Sequence, residues 1–359
     1  MGSASAFHLA RRGCKVLALD RFHPPHTLGS THGESRIIRE AYFEHPLYVP
    51  LVQRAYELWD ELSNIARENL LLQTGGLMIG PATGVIVSGA RRSAEMHRLQ
   101  HEMLSASDVT RRYPAIHPNT DMVAVCEPRA GVLFPERCIQ AHLKAAESAG
   151  AQFRFNEVIT DWKAVHGHVE ITTSTAKYTA KQLVISAGSW VKELVPQIPA
   201  TVERQVLAWF KPADPVIFQP DRCPIYICEY DSHRYFYGFP DLGDGVKVAL
   251  HHEGQKVNPN TANREVSPGE IKNLRKAIDP FLPSLSTEAV DAVACLYTNM
   301  PDENFLLDRH PDFPEVLVCS PCSGHGFKFS SAIGEIVADL ITNGRTRFNL
   351  TPFRWRTEP

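Results

Sequence analysis

Apolar residues along this chain fall into two rhythms. Near the start, Ala6, Phe7, Leu9 and Ala10 sit at helical spacing within Ser3–Arg12, and Gly13 can close that helix in the left-handed conformation. Lys15–Asp20 follows as a short apolar run ending in an acid, the pattern of a buried parallel strand. Tyr48–Ile65 carries Leu51, Ala55, Leu58, Trp59 and Leu62 on one helical face, and Cys138–Ser148 reads as another helix, stopped by Gly150. Phe153–Asp161 and His168–Tyr178 read as antiparallel strands, and Leu183–Gly188 as a buried strand running into a glycine turn. From about Gln205 to Leu296 the pattern becomes alternating and rich in aromatic residues, which predicts a mainly β insertion. Val316–Cys319 reads as strand again, and a helix follows with Ile333, Ile336, Val337, Leu340 and Ile341 on one face and Gly344 as its stop. Parallel α/β pieces at both ends and a β-rich middle predict one nucleotide-binding domain interrupted by a substrate domain.

The length of 359 residues agrees with two domains, and 43% apolar with 21% charged residues supplies packed cores rather than disorder. The 37 basic and 40 acidic side chains give a net charge of −3 without long runs of one sign, which argues against nucleic-acid and membrane-surface partners. No apolar stretch approaches the roughly 18–20 residues that span a bilayer. The opening MGSASAFHLARR puts its basic pair after the apolar part, the reverse of a secretory signal, and the ending RWRTEP carries no peroxisomal tripeptide. Cytoplasm is therefore the expected location. Eight scattered cysteines fit a reducing compartment. The close pairs Cys223/Cys228 and Cys319/Cys322 sit in apolar, strand-like runs and read as buried thiols rather than a zinc site.

One dinucleotide-binding signal is half present. Gly2 fits the last glycine of the fingerprint that lets a backbone approach a pyrophosphate, and Ala6 and Gly13 fit the small positions where helix meets sheet. Asp20 fits the acid that holds the adenosine ribose. Met1 falls inside the motif, so the first strand and first two glycines have no counterpart, and the expectation is that Met1 is an internal methionine of a longer gene.

Four further segments carry a resemblance: GSTHGESRIIREAY (Gly29–Tyr42), YFYGFPDLGDGVKVALHH (Tyr235–His252), ACLYTNMPDENFLLDRHP (Ala294–Pro311) and SGHGFKFSSAIGEI (Ser323–Ile336). Together they resemble the monomeric sarcosine oxidase family of D-amino-acid-oxidase-like flavoproteins, over nearly the whole chain. The resemblance implies a Rossmann-type FAD-binding domain made of 1–65, 130–200 and 290–345, interrupted by a catalytic domain of 66–129 and 201–289 with a large antiparallel sheet, and a tail of 346–359. By position it implies that Cys295 is the thiol joined to FAD, that Lys247 lies beside the flavin and serves the reaction with oxygen, and that Arg39 and Lys328 bind the substrate carboxylate. Arg36, His32 and Ser35 then lie close to the flavin ring, and Val158, Gly324, Gly326 and Lys328 join Gly2 and Asp20 among the cofactor contacts. Tyr237, His251 and Tyr297 match the residues of the substrate pocket, with His251 a polar contact or proton relay. His252 is expected on the opposite face of its strand, as a structural residue.

The activity implied is FAD-dependent oxidation of a secondary amine in an N-methyl or cyclic α-amino acid, with oxygen as acceptor and hydrogen peroxide as product, by a monomer. Two alternatives stay open: a related dehydrogenase that passes electrons to another carrier, and an inactive chain that cannot hold FAD.

Overall fold

The computed structural model describes residues 1–355, so the last four residues of the expected tail lie outside the described residues. Its first helix, Gly2–Arg11, ends where Gly13 adopts φ +80°. It packs between the helices Pro135–Ser148 and Ser330–Asn343. Contact with the last of these depends on Gly334, because a Cβ there would lie 2.6 Å from the backbone carbon of Ala4. The helix Val49–Ala66 completes this layer, and Phe7, Trp59, Ile333, Ile336 and Val337 share one core with it. The helix expected from Cys138 begins three residues earlier, at Pro135. A proline suits that first position, since its missing N–H has no partner in an opening turn.

Strand Leu17–Asp20 pairs in parallel with Gln152–Phe155. This corrects the expectation of one antiparallel strand over Phe153–Asp161. The chain leaves the parallel pair at Asn156, whose φ is +59°, and Ile159–Val165 begins a separate antiparallel sheet with His168–Thr173 and Lys177–Ala180. Leu183–Ile185 and Val316–Ser320 form a second parallel pairing, with Leu306–Arg309 antiparallel at its edge.

The largest sheet among the described residues has nine strands. From one edge it runs Gln255–Lys256, Thr201–Pro212, Val246–His251, Arg234–Asp241, Ile225–Asp231, Gly76–Pro81, Met122–Glu127 and Glu102–Ser105, while Leu285–Asn299 also pairs along Thr201–Pro212. Alternation sorts its side chains. Leu207, Trp209, Tyr237, Ala249 and Cys295 cluster on one face, whereas Ala208, Phe210, Tyr226, Phe236 and Val248 cluster on the other. The second face is covered by the helix Pro268–Ile278 through Leu274, Ala277 and Ile278. That helix opens with a capping box, Ser267 and Glu270, inside the stretch that reads as β from its pattern. A small antiparallel sheet of Arg36–Ile38, Gly131–Leu133 and Leu71–Gln73 links the helical layer to the large sheet.

A cavity of about 1470 Å³ runs through the molecule. Its walls include Gly2, Leu17–Asp20 and Leu183–Ile185 at one end, and Arg36, Arg39, Tyr237, His251, Cys295, Tyr297 and Lys328 at the other. Among the described residues no helix is long and apolar enough to cross a membrane.

Candidate active site

Two buried cations meet on one aromatic ring. Arg39 follows the strand Arg36–Ile38, and Lys328 lies in the single turn Phe327–Phe329 before the last helix. The Arg39 guanidinium lies 4.3 Å from the centre of the Tyr42 ring, and the Lys328 ammonium 5.2 Å from the same centre. Arg39 is held by both oxygens of Glu44, at 2.9 and 2.7 Å, and by the Ala41 carbonyl at 3.0 Å, while its Nε has no partner. Lys328 donates to the His325 carbonyl at 2.8 Å and to the Tyr42 hydroxyl at 3.3 Å. Trp59 fixes the backbone of Lys328 by donating to its carbonyl at 2.9 Å. Burial, with the Arg39 charge nearby, pushes the Lys328 ammonium down to about 7 despite the opposing pull of Glu44. Burial would raise the Glu44 carboxyl, but the charge and hydrogen bonds of Arg39, with Lys328 nearby, hold it below the usual range. With Lys328 protonated, one carboxylate faces two cations, and the surplus charge suits an incoming anion, whose arrival in turn favours the ammonium form.

His325 is neutral in this setting, pushed down to about 4 by burial and by Lys328 and Arg39, against the pull of Glu44. Its Nε2 lies 3.0 Å from the Glu303 carbonyl, an acceptor only, so Nε2 carries the proton. Nδ1 then accepts from the Tyr42 hydroxyl at 2.6 Å, which leaves the Tyr42 oxygen free to accept from Lys328.

Facing these cations is the polar end of the large sheet. Tyr237, Lys247, His251, Cys295 and Tyr297 occupy odd-numbered positions of three strands, and the alternation that buries Ala249 and Leu207 also brings them to one face. The Tyr237 and Tyr297 hydroxyls are 3.4 Å apart, and His251 Nδ1 is 3.3 Å from the Tyr297 hydroxyl. Burial, His252 and the more distant cations push His251 well below the usual histidine range, so it is a neutral hydrogen-bonding group. Burial raises both tyrosines.

His252 is a correction. It was expected to point away from His251, yet the two rings lie 4.2 Å apart and both contact Tyr297. The strand ends at His251, and His252 takes φ +58°, which turns its side chain back toward its neighbour. Gly324 leaves room for this pair of rings, since a Cβ there would lie 2.8 Å from Tyr297 and 3.0 Å from His252.

Behind the pocket, Arg36 donates to the carbonyls of Ser30, His32 and Ser35 and to the Cys295 sulfur at 3.7 Å. Lys247 donates to the carbonyls of Gly33 at 2.6 Å and Ser35 at 2.8 Å, and its ammonium lies 4.4 Å from the Phe239 ring centre. Burial and Arg36 hold Lys247 well below the usual lysine range. His32 is likewise pushed down to about 4 by burial and Arg36, and its Nε2 is buried without a partner. Lys247, His32 and Ser35 stand behind the cavity wall, whereas Arg36 and Cys295 form part of it.

At the far end of the cavity are Gly2, which opens the first helix against Ser186, and Asp20, which accepts from the Phe22 N–H at 2.9 Å. Val158 lies between two wall residues, Glu157 and Ile159, but is not itself in the wall; its carbonyl accepts from Ser174. Gly326 is required by packing, because a Cβ would come 1.8 Å from the Pro321 carbonyl oxygen. Tyr42, Glu44 and Arg264 were not anticipated. Arg264 binds the Leu28 carbonyl at 2.7 Å and leaves its Nη1 buried without a partner. Tyr42 sits inside a quoted motif, so its position was legible although its part was not.

Residues 1–340 match the family model described as FAD dependent oxidoreductase. The chain is 42% identical over 353 residues to a monomeric sarcosine oxidase from Streptomyces avermitilis, covering 96% of this chain and 92% of that one. It is 37% identical over 358 residues to an N-methyl-L-tryptophan oxidase from Salmonella heidelberg, covering 99% and 95%. Among solved structures it is similar to NikD, an unusual amino acid oxidase essential for nikkomycin biosynthesis, with TM-score 0.85, 23% identity and coverage of 98% and 94%. It is also similar to the L-proline dehydrogenase from P. horikoshii, with TM-score 0.84, 19% identity and coverage of 98% and 93%; these two likenesses concern the fold.

Proposed function

The chain belongs to the FAD-dependent oxidoreductases and is an FAD-dependent amine oxidoreductase, and on that premise we propose that it oxidises an N-methyl or cyclic α-amino acid at its secondary amine, with oxygen as the acceptor. The observation that carries this reading is the pair Arg39 and Lys328 on the Tyr42 ring, two cations with one carboxylate between them. An amino-acid carboxylate supplies the missing negative charge, and each charge-assisted hydrogen bond to it contributes about 1.5–3 kcal/mol. Tyr237, His251 and Tyr297 then face the other end of the substrate and, being neutral, favour an amine that carries no charge.

The cavity fits FAD. Gly2 and Asp20 stand at one end of it, where a backbone can approach a pyrophosphate and an acid can hold a ribose, and Arg36 and Cys295 stand at the other. In our reading Cys295 holds the cofactor covalently and Gly324, Gly326 and Lys328 border it, while Ser35 and Val158 lie behind the wall. In this reading the pairs Leu17–Asp20/Gln152–Phe155 and Leu183–Ile185/Val316–Ser320 both belong to the FAD-binding domain. The FAD-binding and catalytic domains follow the division given above, except that residues 290–299 go with the catalytic sheet, as part of the strand Leu285–Asn299 paired along Thr201–Pro212. FAD, when bound, supplies the two-electron acceptor that is reoxidised by oxygen with release of hydrogen peroxide.

The protein's part is orientation and charge. Arg39 and Lys328 fix the carboxylate, the aromatic wall positions the carbon–nitrogen bond, and burial around His251 excludes water from the reacting amine. The substrate loses a hydride from carbon and, from nitrogen, the remaining proton; the imine so formed hydrolyses to an amine and a carbonyl compound. Lys247, buried behind Arg36, contributes a positive field where oxygen gains charge. A monomer working in the cytoplasm completes the reading.

Oxygen uptake and peroxide release, measured with sarcosine, other N-methyl amino acids, pipecolate and proline, test it. Uptake with at least one of these, matched by peroxide, is expected. Reduction of an artificial dye without oxygen uptake would instead make the chain a dehydrogenase, and no turnover of any secondary amino acid would remove the proposal.

A further inference from the structure

We infer that Glu127, at the end of the strand Met122–Glu127, is the positioning residue that aims Arg39 at the substrate carboxylate. This rests on the reading that Arg39 binds that carboxylate. The strand Arg36–Ile38 stops just before Arg39, and residues 39–45 then run without helix or strand to the short turn at Pro46. The amides that follow Arg39 thus have no ladder partner. Glu127 replaces the ladder: one carboxylate oxygen accepts from the Glu40 N–H at 2.7 Å and the other from the Ala41 N–H at 2.7 Å.

The grip reaches the guanidinium directly. Ala41, whose N–H is held by Glu127, offers its carbonyl to Arg39 at 3.0 Å. Glu127 therefore anchors the residue whose carbonyl orients Arg39 from within its own loop, through the adjoining peptide unit and independently of the Glu44 contact. The opposite side of the same segment is clamped as well. The Glu40 carboxylate pairs with Arg129 at 2.9 Å, just beyond Glu127 in sequence, and the Arg129 carbonyl accepts from Tyr56 at 2.9 Å.

A carboxylate is an expensive group to hide here, being only 1% exposed. Burial raises it to about 7, with Glu40 adding to the rise, and the two N–H groups and Arg39 pull it down. Its compensating property is geometric. A carboxylate presents two acceptors that converge on two successive amides, whereas the isosteric amide of glutamine presents one acceptor and one donor, and the donor would face an N–H.

The test uses the FAD-loaded enzyme with sarcosine and sarcosine amide, which differ only in the carboxylate. For Glu127→Gln, KM for sarcosine should rise at least tenfold, kcat should change less than threefold, and KM for the amide should stay within twofold of wild type. Glu127→Asp, which keeps both acceptors on a shorter arm, should fall between wild type and Glu127→Gln. Should Glu127→Gln not accumulate as folded protein, the same two-substrate comparison on Glu127→Asp decides. Arg39→Met serves as the reference. If it shows the carboxylate-selective loss and the Glu127 variants do not, the inference is overturned while the reading of Arg39 stands. If Arg39→Met itself leaves the ratio of the two KM values unchanged, the reading falls and the inference with it. Equal losses for both substrates in the Glu127 variants mean a merely structural residue and also overturn it.

Discussion

Replacing Lys328 by methionine should stabilise the folded protein below neutral pH while weakening its hold on substrate. The native state pushes this ammonium from 10.5 down to about 7, chiefly by burial. The unfolded chain therefore binds a proton between those values that the native state does not, and wild-type stability rises with pH across that window. At about 1.4 kcal/mol per pH unit, the displacement amounts to roughly 5 kcal/mol of penalty for keeping the charge buried below pH 7. Methionine removes that penalty. It also deletes the hydrogen bonds to the His325 carbonyl and Tyr42 hydroxyl, which costs about 1–3 kcal/mol. The net expectation is a variant more stable by about 2–4 kcal/mol near pH 6, with an advantage that shrinks by about 1.4 kcal/mol per unit above pH 7 and reverses by about pH 10. Denaturant unfolding of both proteins at several pH values measures the difference, and groups common to the two cancel. A difference that stays constant across that range would refute the reasoning, whatever its size.

Three further outcomes follow from the geometry. Cys295→Ser should leave flavin in the supernatant after acid precipitation, whereas the wild type should carry its colour into the pellet; colour in the wild-type supernatant would discard the thioether. Lys247→Met should slow reoxidation of the reduced enzyme by oxygen at least tenfold in stopped flow and change anaerobic reduction by substrate much less; equal slowing of both steps would contradict the role given to its charge. Gly326→Ala places a Cβ against the Pro321 carbonyl oxygen and should destabilise the fold by about 3 kcal/mol or more, seen as a lowered midpoint of thermal unfolding; an unchanged midpoint would mean that the backbone yields there.

The helical layer was the most legible part of the chain. Leu51, Ala55, Leu58, Trp59 and Leu62 mark Val49–Ala66 to within a residue because one face meets a continuous core. The helix Pro268–Ile278 escaped notice, since its buried residues are only Leu274, Ala277 and Ile278 within a charged stretch, and its capping box lies in a region dominated by strands. Alternation was sufficient to align Lys247 with His251 but not to place them at the cavity, because a strand face carrying a lysine and a histidine ordinarily meets solvent and here it is covered. His252 was misplaced because strand periodicity presumes that the strand continues, and a left-handed residue breaks the count. Glu127 had no local signature at all. A single glutamate at the end of a strand reads as solvated, and its partners are 86 and 87 residues away.

The two ends of the candidate pocket are built from different parts of the molecule. Arg39, Tyr42, His325 and Lys328 stand on connecting segments beside the helical layer, while Tyr237, His251 and Tyr297 stand on the nine-stranded sheet. In the proposed function, such an arrangement separates what every substrate shares from what distinguishes one substrate from another. Changes along Arg234–Asp241 and Leu285–Asn299 can reshape the space for a methyl group, a ring or an indole, and the grip on the carboxylate is left intact. A lineage with this architecture can therefore exchange one amino acid for another by drift in two strands.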